Sequence, residues 1–90
     1  MEKVLKWPLD KKSQTFEIDM PVGSIPLCVQ VQDNQPVLYT RSVVPGPYRV
    51  HRFIGAATGE TMPVRGVGAF IGTAMLDDGT YVVHYFEATA

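Results

Sequence analysis

The residues able to do chemistry are few, and they are unevenly placed. All four arginines, Arg41, Arg49, Arg52 and Arg65, fall between residues 41 and 65. Glu60 is the one acid among them, so this segment carries a formal charge of +3. All four lysines lie within residues 1–12, and only the acids Asp77, Asp78 and Glu87 follow Arg65. Guanidinium groups present rigid donor forks that match phosphate and carboxylate oxygens. The cluster therefore reads either as the frame of an anion site or as ordinary solvated strand edges.

Inside it stands FIGAATGETMPVRG, residues 53–66. Backbone amides near Gly59 can approach a phosphate closely, and the Thr58 hydroxyl can add a hydrogen bond. Arg65 offers a bidentate contact, and Glu60 can meet a base edge. Trp7, Tyr39, Tyr48, Tyr81 and Tyr85 can stack on a base or pack in a core or interface. The binding set selected on these grounds is Trp7, Tyr39, Arg41, His51, Arg52, Thr58, Gly59, Glu60 and Arg65.

Catalytic and metal chemistry find little support. The single cysteine, Cys28, and the two histidines, His51 and His84, show no paired spacing of a zinc site. A nucleophile needs a base beside it and a third group to orient that base, and no such trio is visible. A phosphate loop of the Walker type needs a lysine, and none follows residue 12. The Asp77–Asp78 pair belongs to a turn. The chain reads as a non-enzyme with no cofactor and no metal.

The elements that must position these residues are strands. Period-2 alternation and frequent turn signals predict strands over 2–7, 14–20, 25–32, 37–44, 48–56, 69–76 and 80–87. In QTFEIDM, Phe16, Ile18 and Met20 share one face. In IPLCVQVQ the alternation places Ile25, Leu27, Val29 and Val31 inside and Gln30 and Gln32 outside. His51 shares a face with Arg49 and Phe53, while His84 alternates with Val82 and Phe86, which points it toward the core. Seven short strands in one domain spanning 1–90 predict an all-β fold, a small antiparallel sandwich or partly open barrel. Residues 57–68 form the longest connection of the second half, a length that usually has a function. FIG occurs twice, at 53–55 and 70–72, but the flanks do not repeat, so it marks two strands rather than a duplicated unit.

Composition sets outer limits. Ninety residues with 46% hydrophobic side chains can build one small core. A net charge of -1 argues against a general binder of long nucleic acid. No apolar run is long enough for a membrane span or a signal peptide. One cysteine suits a reducing cytosol, so a cytoplasmic protein is expected. Sheet edges in so small a chain predict a homo-oligomer, a dimer, tetramer or larger.

The order KWPL, IDMPVGS, LCVQVQDNQPVLY, FIGAATGE and FIGTAMLDDGTYVVHYFE, over roughly residues 4–87, resembles a family of very small phage and prophage proteins of unassigned function. Members commonly have a shorter piece between the two glycine motifs, so the resemblance implies a remodelled loop here. It extends to viral sponge proteins that sequester cyclic nucleotide signals of bacterial immunity such as those of CBASS. It implies a phage-encoded anti-defence protein that binds a cyclic nucleotide without hydrolysing it. The alternative is a phage structural or host-protein interaction module that binds through a sheet edge.

Overall fold

The computed structural model describes residues 1–89. Its strands are β1 (Glu2–Pro8), β2 (Thr15–Pro21), β3 (Ile25–Gln32), β4 (Gln35–Val43), β5 (Tyr48–Ala57), β6 (Val67–Leu76) and β7 (Tyr81–Ala88). They form two antiparallel sheets, ordered β1-β4-β3 and β2-β5-β7-β6, packed as a sandwich. The all-β expectation holds, and the sandwich replaces the barrel. Among the described residues no helix is long and apolar enough to cross a membrane.

Local chemistry explains the turns. Asp33 and Asn34 both take positive φ, 50° and 60°, between the paired residues Gln32 and Gln35. That is the backbone of a two-residue hairpin whose twist matches its strands. The turn from β6 to β7 is a short 3-10 segment, Asp77–Gly79, also with positive φ throughout. The two turns belong to different sheets and grip each other. Asn34 Nδ2 donates to Asp77 Oδ1 at 2.6 Å, and the Asp77 amide donates to Asn34 Oδ1 at 2.7 Å.

The core draws on both sheets: Leu38 and Val29 from one, Met20, Phe53, Ala74, Leu76, Val83 and Tyr85 from the other. Phe16 stacks on its register partner Phe53 and meets Tyr85 edge-on. The crossover from β1 to β2 is held down by two tyrosines of β7. Tyr85 Oη donates to the Asp10 carbonyl at 2.7 Å, and Tyr81 Oη to the Lys11 carbonyl at 2.8 Å.

Two strand readings need correction. The period of β3 slips at a bulge between Pro26 and Cys28. Val29 is buried as expected, but Ile25 and Leu27 are 54% and 49% exposed, and Val31 is exposed too. An extra residue in one strand shifts every side chain before it relative to those after it. On β7 the core takes Val83 and Tyr85, so His84 lies on the opposite face, with Val82 and Phe86.

Candidate functional site

The nine residues selected from the sequence do not converge on one place. Arg41 stands on the outer face of the three-stranded sheet, where it makes a bidentate pair with Glu2 of β1, one arm at 2.8 Å. That hydrogen-bonded partner holds the Glu2 carboxyl below its ordinary pKa and Arg41 above its own. Tyr39, on the same strand, accepts a hydrogen bond from Gln32 Nε2 at 3.1 Å. Arg65 lies in the connection between β5 and β6 and is exposed.

Trp7 is committed inward. Its indole Nε1 donates to Thr40 Oγ1 at 2.8 Å, and Tyr48 meets its ring edge-on at 6.4 Å. The hydroxyl chain continues from Thr40 to Ser42 at 2.9 Å and from Ser42 to Ser24 at 2.8 Å. Ser24 Oγ then donates to the Pro21 carbonyl at 2.7 Å. With a donor-only indole at one end and an acceptor-only carbonyl at the other, the chain runs in one direction and satisfies every member. Thr40 and Ser42, both fully buried, therefore cost no unmet hydrogen bond.

Thr58, Gly59 and Glu60 sit just past the far end of β5. The amides expected to cradle a phosphate are largely spent there: Thr58 N donates to the Val82 carbonyl and Glu60 N to the Ala57 carbonyl, each at 3.0 Å. Thr58 has a partner that the sequence did not reveal. Its Oγ1 lies 2.8 Å from His84 Nε2, and His84 Nδ1 lies 3.0 Å from Thr73 Oγ1. Three strands thus form a threonine–histidine–threonine string on the outer face. It has the outline of an activated nucleophile, but the orienting group is a neutral hydroxyl where a carboxylate would stabilise an imidazolium. The amide of Thr58 itself, bonded to Val82, is not available to an oxyanion. The string ties the residue that follows β5 to the interiors of β7 and β6.

His51 and Arg52 come together toward the other end of β5. A cleft of about 290 Å³ opens there, lined by His51, Phe53, Pro26, Gly68, Glu87 and Thr89, with Arg52 at its wall. A second depression of about 340 Å³ adjoins it, lined by Arg49, Val50, Arg52, Ala88 and Thr89. Arg52, Ala88 and Thr89 are common to both, so the two are lobes of one feature.

The strand register explains its composition. Phe53 faces the core, and alternation brings His51 and Arg49 to the same face, His51 opposite Ile18 and Arg49 opposite the core residue Met20. Arg52 points the other way and pairs with Glu17, its register partner, at 2.9 Å. The Arg49 guanidinium makes no ion pair with a described residue. His51 Nδ1 is 3.0 Å from the Arg49 carbonyl, which leaves Nε2 for a ligand. Arg49, Glu87 and Thr89 were not among the residues selected from the sequence. Only the +3 charge of residues 41–65 pointed near them. Among the described residues no group of three or more histidine, cysteine or acidic side chains could hold a metal ion.

A family model described as "Domain of unknown function (DUF7352)" matches residues 1–90. No curated protein and no solved structure matches the chain.

Proposed function

We propose, for a chain that belongs to the DUF7352 family, a binding protein that holds a small nucleotide-class anion without breaking it. The two-lobed cleft at the Tyr48 end of β5 carries this reading. Each lobe, at about 290 and 340 Å³, falls near the lower end of small-ligand pockets, about 300 Å³. Together they suit two linked nucleotide units better than one. Arg49 supplies a charged donor that pairs with no described carboxylate, Arg52 stands where the lobes meet, and Thr89 and His51 add polar groups. An arginine donor fork in a largely polar depression favours oriented binding of a phosphodiester.

On this reading the protein acts by sequestration: a phage-encoded sponge that lowers the free concentration of a cyclic dinucleotide immune signal in the host cytosol. The threonine–histidine–threonine string lies at the opposite end of β5 and does not address the cleft, which fits retention of an intact ligand.

Isothermal titration with cyclic di- and trinucleotides tests it. Micromolar or tighter binding is expected, with the nucleotide recovered intact and the affinity lost in Arg49→Ala. Binding no tighter than millimolar across the panel sinks the proposal, and recovery of a cleaved product replaces it with an enzyme.

A further inference from the structure

The two sides of the sandwich are defended unequally. On one side lie the open edges β1 and β2, and both are charged: Glu2, Lys3 and Lys6 on β1, Glu17 and Asp19 on β2. Charge at an edge blocks unwanted association. On the other side lie β3 and β6, also without a neighbour on their outer flank. Neither contains a single charged residue: IPLCVQVQ and VGAFIGTAML.

Both of these edges are also bulged, β3 between Pro26 and Cys28, β6 on either side of Phe70. Bulges re-aim side chains, and here they leave Leu27 at 49% and Phe70 at 58% exposure. Pro26 and the bulges also interrupt the ladder that an added strand would need. This side is therefore unsuited to strand addition but suited to contact through side chains. A groove of about 290 Å³ runs between the two edges, from Ile25 and Leu27 to Phe70 and Ile71.

We propose that this β3/β6 side is the interface of a homodimer. An uncharged apolar strip is complementary to itself and offers nothing to a charged partner. Its size also fits a second copy. Eight residues of β3 at about 3.3 Å each run about 26 Å, and the two strands, whose Cα atoms approach within 8 Å, span roughly 18 Å with flanking side chains. That is roughly 450 Å² per copy and roughly 900 Å² in all, the size of a weak, reversible interface. Glu87 is the one charged residue lining the groove, and it also lines the end cleft. Pro26 and Ala69 line both as well, so a second copy seated on the groove forms a wall of the cleft.

Sedimentation at tens of micromolar tests this on the whole chain. The expected species has twice the 9.9 kDa chain mass. Leu27→Glu and Phe70→Glu each weaken the dimer about a hundredfold while the β-sheet circular dichroism persists. Val4→Glu, on the charged side, leaves it intact. A wild-type monomer overturns the proposal, and so does a dimer indifferent to both substitutions. Should either variant unfold, hydrogen exchange on wild-type protein decides. Amides of β3 and β6 gain protection with concentration if the interface is theirs, and unchanged protection there overturns it. The dimer does not depend on the nucleotide reading: Arg49→Ala abolishes nucleotide binding and leaves the dimer, so the two proposals fail separately.

Discussion

Asn34 and Asp77, 43 residues apart, hold the tips of two hairpins from opposite sheets together through a reciprocal pair of hydrogen bonds, 2.6 and 2.7 Å. The same asparagine also sits at φ 60°, a conformation that asparagine and glycine accept more readily than other residues. Asn34→Gly and Asn34→Ala therefore separate two effects. The glycine variant keeps the turn and loses only the clamp, costing about 1 kcal/mol. The alanine variant loses the clamp and strains the turn, costing about 1 kcal/mol more. Urea denaturation of both variants checks the order; equal stability to wild type in both would show that the clamp contributes nothing.

Gly72 lies beneath Val29 at the closest approach of the two sheets. A Cβ there would stand 2.9 Å from both Cβ and Cγ2 of Val29 and 3.3 Å from its amide nitrogen. These atoms belong to Val29, the buried residue of the edge strand β3, so the strands themselves must part. Gly72→Ala is expected to destabilise the fold by about 1–3 kcal/mol. Gly46→Ala, whose new methyl meets only the Val43 carbonyl at 3.5 Å, serves as control and shifts the thermal midpoint little.

Tyr85 is fully buried, and burial, with smaller contributions from Asp10 and Tyr81, raises its pKa above the ordinary 10.0. The native state thus keeps a proton that the unfolded chain releases. The resulting stability is complete below pH 10 and is lost as pH rises above it. Ultraviolet titration should find one of the four tyrosines resisting ionisation until the protein unfolds. Tyr85→Phe removes this resistant group and leaves the Asp10 carbonyl without its donor, at about 1–2 kcal/mol. Four tyrosines titrating together in folded protein would contradict the assignment.

The hydroxyl chain from Trp7 to Pro21 spans three strands and one turn. Removing a middle link leaves buried neighbours unpaired, so Thr40→Val should cost about 1–3 kcal/mol despite its similar shape. The indole N–H loses its acceptor in the same variant. Tryptophan fluorescence, which Trp7 alone supplies, reports the change directly as a shifted emission maximum.

Much of the fold is legible from alternation and turn residues because β2 and β4 each bury one face decisively. The β3 misreading has a physical cause: a bulge changes the phase midway, and Pro26 inside the run was its only visible sign. His84 was misplaced because β7 is a central strand with apolar residues on both faces, so either phase fits the pattern. The arginine cluster illustrates a different limit. Arg41 and Arg52 are close in sequence, but β4 and β5 belong to different sheets, and each arginine answers a glutamate from its neighbouring strand. Long-range pairing decides which charges remain available, and nothing local encodes it. The two FIG segments were correctly taken as strands rather than a repeat. Each glycine admits a close neighbour: the Lys12 carbonyl would lie 2.8 Å from a Cβ at Gly55, and Val29 faces Gly72.

The strand order β2-β5-β7-β6 also has a consequence during synthesis. The strand latest in the sequence fills the gap between β5 and β6, which do not pair with each other. A nascent chain can close the β1-β4-β3 sheet as soon as residue 43 has emerged, but its second sheet must wait as two separate pieces. Until residues 81–88 arrive, β5 and β6 expose unpaired backbone on the flanks that β7 will fill. The four-stranded sheet is complete only when residues 81–88 join its two pieces.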